Sequence, residues 1–218
     1  MRVKICGIRT RADAAAAAAA GAAYVGLVFY PPSPRAVSIG DARWIAEGAP
    51  EGLTRVALTV DADDAFLDAI LAQVPVDMLQ LHGIESPERV AQVRQRYRLP
   101  VMKAVGLRGE EDLAALFEYE RAADQVLVDA RAPEGADLPG GNGLSFDWRL
   151  LEARRWRGPW MLAGGLSAEN VAEAVRLTRA EQVDVSSGVE AAPGEKDPAR
   201  IAAFVAAARG RVPAIPVR

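Results

Sequence analysis

The only cysteine of this sequence, Cys6, closes the run Val3-Lys4-Ile5-Cys6 before Gly7, and a carboxylate, Asp129, closes Val126-Leu127-Val128. Two further clusters, Gly164-Gly165 and Ser186-Ser187-Gly188, follow the last two apolar runs. A thiol near a cation can serve as base or nucleophile, and a carboxylic acid at a strand end can donate a proton. Backbone N–H groups approached through glycine, joined by serine hydroxyls, can bind a phosphate. Each feature also has a plainer reading. Free cysteines are commonly small buried hydrophobes, an aspartate after a strand can cap the next loop, and Gly-Gly is common in turns. The two glycine clusters at successive strand ends favour a phosphate site over a pair of turns.

Strand alternation puts Lys4 and Cys6 on one face, with Val3 and Ile5 on the other. Lys4 therefore either lends positive potential to the thiol or pairs with Asp184, which occupies the matching place on the last strand. Arg35 ends the stiff stretch Tyr30-Pro31-Pro32-Ser33-Pro34, where it can hold a guanidinium over an anionic substrate or simply face solvent. His82, after Leu79-Gln80-Leu81, is the only histidine. With no clustered carboxylates around it in sequence it makes a poor metal site, so it reads as a hydrogen-bonding or structural residue. Neither a metal nor a cofactor is expected.

The elements that must position these residues alternate with little interruption. Apolar or β-branched runs mark strands at about 2–6, 24–29, 54–60, 78–82, 100–105, 125–129, 159–163 and 182–186. Helical segments fill about 10–20, 38–47, 63–73, 86–97, 109–119, 146–155, 167–178 and 197–209. Ser86-Pro87, Ser167 and Asp197-Pro198 supply helix-start signals. Eight βα units predict an α/β fold, a single (β/α)8 TIM barrel over 1–218, with a loosely held tail after about 210. A doubly wound dinucleotide fold would want G-x-G-x-x-G after the first strand, where the chain has Cys6-Gly7-Ile8-Arg9. The glycine-rich stretch 130–145 is too long for a bare connector and is expected to cover something.

Half of the residues are hydrophobic, a quarter are charged and the formal charge is −3, which gives no global attraction to nucleic acid or anionic lipid. No apolar run reaches the roughly 18 residues of a membrane span, and Met1 leads into a charged strand without a secretory pattern. One cysteine forms no internal disulfide, which fits the cytoplasm.

Taken in order, Lys4-Ile5-Cys6-Gly7-Ile8, Gly26-Leu27-Val28-Phe29-Tyr30-Pro31 with Ser33 and Arg35, Gln80-Leu81-His82-Gly83, Lys103-Ala104-Val105, Leu127-Val128-Asp129, Gly141-Asn142-Gly143 with Phe146-Asp147-Trp148, Ala163-Gly164-Gly165-Leu166, Glu169-Asn170-Val171 and Val183-Asp184-Val185-Ser186-Ser187-Gly188-Val189-Glu190 resemble the phosphoribosylanthranilate isomerase family. The resemblance implies a metal-free barrel of L-tryptophan biosynthesis, a monomer or homodimer with a small-molecule substrate. Its reaction would be the Amadori rearrangement of N-(5-phospho-D-ribosyl)anthranilate to 1-(2-carboxyphenylamino)-1-deoxy-D-ribulose 5-phosphate. It further implies Cys6 as general base and Asp129 as general acid. Gly164, Gly165, Ser186, Ser187 and Gly188 would hold the phosphate, Arg35 would meet the anthranilate carboxylate, and His82 would line the substrate site. Arg9, Ala130 and the third strand, Ala57-Leu58-Thr59-Val60-Asp61, depart from the family pattern, and Ala130 lacks a hydroxyl that would orient Asp129.

A ribulose-phosphate epimerase would need metal ligands that one histidine does not supply. A phosphate-binding barrel without chemistry would need no acid and base at separate strand ends.

Overall fold

The structure, a computed structural model, describes residues 1–131, 140, 143–152 and 154–210. Most of the 130–145 stretch and the tail after 210 lie outside the described residues. Eight parallel strands close into a barrel in chain order: β1 Arg2–Cys6, β2 Tyr24–Phe29, β3 Thr54–Thr59, β4 Met78–Leu81, β5 Val101–Leu107, β6 Gln125–Ala130, β7 Trp160–Leu162 and β8 Gln182–Val185. The seam pairs Lys4 with Asp184 and Ile5 with Val185. Helices α1 Arg11–Ala20, α2 Ile39–Glu47, α3 Asp64–Leu71, α4 Pro87–Tyr97, α5 Leu113–Ala122, α6 Val171–Thr178 and α7 Pro198–Ala208 separate the strands or follow the last one.

Alternation divides the core into two. Val3, Ile5, Leu27, Val126, Val128 and Leu162 face outward and pack under the helices. Tyr24, Val56, Met78, Met102, Leu127 and Met161 fill the barrel interior, and Cys6, Val28 and Leu58 form a further cluster with Tyr30 and Val60. The large side chains inside make the barrel a packed plug rather than a channel, so chemistry is confined to its carboxyl-end mouth. Burial of these side chains is the main source of stability, at about 1.5–3 kcal/mol each.

The helix starts follow local chemistry. Ser86 accepts from Arg89 N with Pro87 in the first turn, and Asp197 accepts from Ala199 N and Arg200 N ahead of Pro198. Thr10 and Asp13 cap α1 reciprocally. Ser167 is not a helix cap, since α6 begins only at Val171. The helix expected over 146–155 is a single 3-10 turn, Trp148–Leu151. Beyond it Glu120 of α5 accepts from Arg154 and from the backbone N–H of Arg157, and Trp156 stacks on Trp160 at 4.1 Å. The chain is thereby held against α5, and Pro159 keeps the approach to β7 from coiling. After β8 a short hairpin forms from β9 Glu190–Ala192 and β10 Glu195–Lys196, turning at Pro193-Gly194.

Candidate active site

The mouth of the barrel holds an open cavity lined by Cys6, Arg35, His82, Asp129, Gly164, Gly165, Ser186 and Ser187 among others. Val28, Leu58 and Val60 supply an apolar wall. The residues singled out in the sequence for chemistry line this cavity except Lys4, which is fully buried beneath it, and Gly188, which packs behind it against Leu166.

Cys6 is the last residue of β1 and stands beside Gly26 of β2. A Cβ on Gly26 would lie 2.9 Å from the Cys6 sulfur, so the space for the thiol is made by the absence of a side chain next door. Lys4 combines the two roles open to it. Its Nζ donates to Asp184 Oδ1 at 2.9 Å, and its charge also acts on the Cys6 thiol. Burial disfavours the Lys4 ammonium, but the charges of Asp184 and Cys6 outweigh it and push the Lys4 pKa up to about 12. Burial pushes the Cys6 thiol up, Lys4 and Lys196 pull it down, and Asp184 opposes them. Burial wins, so the positive charge expected to favour the thiolate is present but only partly effective.

Across the mouth, Asp129 is nearly buried at the end of β6. Its Oδ1 accepts from Ala130 N at 2.8 Å, so backbone takes part of the orienting role that a hydroxyl at position 130 would have had. Its Oδ2 lies 3.4 Å from His82 Nε2. His82 Nδ1 in turn lies 2.9 Å from Gln80 Nε2, and where that amide nitrogen donates to it the ring proton stands on Nε2, facing Asp129. Lys103 anchors the loop that carries His82 by donating to Gly83 O at 2.7 Å and Glu85 Oε2 at 3.0 Å.

Gly164 and Gly165 follow β7 with φ of +87° and +61°. A side chain at Gly164 would come within 2.7 Å of Ala130 N, so only glycine lets this loop lie against the end of β6. Asn170 braces the same loop, donating to Gly165 O at 2.9 Å and accepting from Ser167 N at 2.8 Å. After β8, Ser186 donates its hydroxyl to Cys6 O at 3.1 Å, which ties the second glycine-serine cluster to the first strand.

Arg35 is almost fully buried, and its guanidinium makes a bidentate pair with Glu190, Nε to Oε1 at 2.7 Å and Nη2 to Oε2 at 2.8 Å. Lys196 donates to Glu190 Oε1 at 2.6 Å and Ser186 O at 3.1 Å. Sequence reading gave no role to Gln80 and Glu190, quoted only within motifs, and did not single out Lys196. The dipeptide Pro193-Gly194 marked the hairpin turn that brings Lys196 back, but no local pattern pointed that turn at Arg35.

The model of the family described as "N-(5'phosphoribosyl)anthranilate (PRA) isomerase" matches residues 3–207. A protein of Cereibacter sphaeroides named N-(5'-phosphoribosyl)anthranilate isomerase is 67% identical over 209 residues, covering 96% of this chain and 99% of its own. One from Ruegeria with the same name is 60% identical over 210 residues, covering 96% and 98%. The crystal structure of phosphoribosyl anthranilate isomerase from Thermotoga maritima superposes with a TM-score of 0.86 at 38% identity, covering 96% of this chain and 99% of that one. A phosphoribosyl anthranilate isomerase solved in complex with reduced 1-(o-carboxyphenylamino)-1-deoxyribulose 5-phosphate superposes with a TM-score of 0.84 at 37% identity, covering 96% and 99%.

Proposed function

This chain belongs to the N-(5'-phosphoribosyl)anthranilate isomerase family of tryptophan biosynthesis, and from that premise we propose that Asp129 and Cys6 carry out the rearrangement as a general acid and a general base. Asp129 gives its proton to the furanose ring oxygen, the C1–O bond breaks with its electron pair going to that oxygen, and the substrate nitrogen forms an iminium with C1. Cys6, as thiolate, then removes the proton on C2, and the electrons of that C–H bond neutralise the iminium to give an enolamine. Tautomerisation of the enolamine yields the ketose. No atom enters or leaves overall, so the residues need only hold the sugar between a proton donor and a proton acceptor.

The observation that carries this reading is the placement of Cys6 at the end of β1 and Asp129 at the end of β6, on one cavity that the two glycine loops also line. The Gly164-Gly165 and Ser186-Ser187-Gly188 loops hold the phosphate, and their binding energy places the reacting carbons. Val28, Leu58 and Val60 take the aromatic ring, and Arg35 takes its carboxylate. His82 touches the substrate side of Asp129 and steadies the carboxyl through Nε2. Lys4 and Lys196 oppose the burial that disfavours the Cys6 thiolate. A cytoplasmic location keeps that thiol reduced.

The test is consumption of freshly made phosphoribosylanthranilate by purified protein in EDTA, followed by loss of anthranilate fluorescence. Turnover supports the reading. A folded protein that binds the reduced product analogue and shows no turnover would instead be a binding barrel.

A further inference from the structure

We infer that Glu190 is a positioning residue that aims Arg35, and that the Glu190–Lys196 pair on the hairpin after β8 thereby sets the preference of the cavity for a carboxylated aryl amine. The inference rests on the reading of Arg35 as the group that meets the substrate carboxylate.

A guanidinium has two edges that can hold a carboxylate bidentately, one formed by Nε with a terminal nitrogen and one formed by the two terminal nitrogens. Glu190 occupies the first edge at 2.7 and 2.8 Å. Among the described residues no other group bonds to the Arg35 side chain, so the second edge is the one available to a ligand. The arginine stem is fixed as well. It crosses the backbone at Gly7, where an added Cβ would lie 2.7 Å from Arg35 Cδ. Arg35 is thus held at both ends before any ligand arrives, which reduces the rotamer freedom to be lost on binding.

Glu190 is itself held by more than Arg35. Lys196, with a fully buried side chain, donates to its Oε1, and Arg200 donates to its backbone carbonyl. Burial would push the Glu190 carboxyl up, yet the hydrogen bonds and charges of Arg35 and Lys196 reverse this and hold it below the usual range. An isolated Arg–Glu pair would be neutral and a poor host for an anion. The Lys196 ammonium brings this corner of the cavity to a net positive charge, and through Ser186 O it ties Glu190 to the loop proposed to hold phosphate. A buried ion pair adds little to stability compared with packed apolar residues, so orientation is the better physical reason for this one.

Titration calorimetry of two ligands tests the inference. One is reduced 1-(o-carboxyphenylamino)-1-deoxyribulose 5-phosphate, and the other is the same compound without the carboxylate. Both carry the phosphate, so the ratio of their dissociation constants isolates the carboxylate contact. The wild type should favour the carboxylated ligand by about tenfold or more, as a charge-assisted bidentate contact implies. Arg35→Met should bring the ratio near one. Glu190→Gln, which loses the charge, and Glu190→Asp, which draws it back by one methylene, should each lower the ratio by about fivefold without weakening the second ligand comparably.

A folded Glu190 variant that keeps the wild-type ratio while Arg35→Met loses it would overturn the inference and leave the role of Arg35 intact. Retention of the ratio by Arg35→Met would overturn both. If neither Glu190 variant folds, Lys196→Met decides, since the inference requires the ratio to fall there too and an unchanged ratio would refute it.

Discussion

Lys4 and Asp184 face each other across the seam where β1 meets β8, with Nζ 2.9 Å from Oδ1, two residues before Cys6 on the same inward face. The cation nearest to Cys6 in sequence is therefore shared between a carboxylate and a thiol. Asp184 takes much of its field, and burial raises the thiol further. Removing Asp184 should free that field. Asp184→Asn is expected to raise the alkylation rate of Cys6 by iodoacetamide at pH 7.5 by about threefold or more, because loss of a negative charge favours the thiolate. Lys4→Met should lower it. Stopped samples analysed by mass spectrometry give the rates, and equal rates in the two variants would show that the pair does not act on the thiol.

The same pair should mark the alkaline limit of stability. Burial disfavours the Lys4 ammonium, but Asp184 and Cys6 outweigh it and push Lys4 up to about 12 from its ordinary 10.5. Its stabilisation is therefore fully present below 10.5 and is lost as pH rises through about 12. Urea unfolding of wild type and of Lys4→Met with Asp184→Leu should differ by a constant amount at pH 7–9, and the difference should shift against the wild type by about 2 kcal/mol as pH approaches 12.

The tautomer of His82 is coupled to the orientation of the Gln80 amide, since a nitrogen facing Nδ1 donates to it and leaves the ring proton on Nε2. Were the amide turned over, Oε1 would take a proton from Nδ1, and Nε2 would become an acceptor facing Asp129. Gln80→Leu removes this control from inside the barrel, without touching the cavity wall. It should lower kcat by about tenfold with little change in KM, and His82→Asn should lower it by about 10- to 100-fold. A Gln80→Leu enzyme with wild-type kcat would place His82 outside the acid's machinery.

Gly26 tests how closely the base is placed. An alanine there would put Cβ 2.9 Å from the Cys6 sulfur and 3.2 Å from the Cys6 Cα, so the end of β1 must move. Gly26→Ala should cost about 1–3 kcal/mol of stability and at least about tenfold in kcat. Thermal unfolding and steady-state rates separate the two effects, and a loss of stability with unchanged kcat would mean that the thiol tolerates displacement.

The strands were legible because each is a short buried run ended by a turn residue, and alternation alone placed Lys4 with Cys6 on an inward face. The segment 146–155 misled because Phe146, Trp148 and Leu151 are spaced for one buried turn, and their apolar character looks the same in a single turn as in a full helix. What lengthens or ends that segment is Glu120 on a different element. The cavity residues at strand ends were equally visible, whereas Glu190 and Lys196 were not. Their partners are Arg35 and Ser186, and the distant one is 155 positions away in the chain. Charged residues on a short hairpin look like a solvated surface until the fold shows them buried.

The most direct test of the acid–base account compares wild type, Cys6→Ser and Asp129→Asn in one assay, measuring kcat on phosphoribosylanthranilate and the dissociation constant of the reduced product analogue. The account predicts that each substitution lowers kcat by about 10²-fold or more while analogue binding stays within a few-fold of wild type. Either variant turning over at the wild-type rate would contradict the role assigned to that residue.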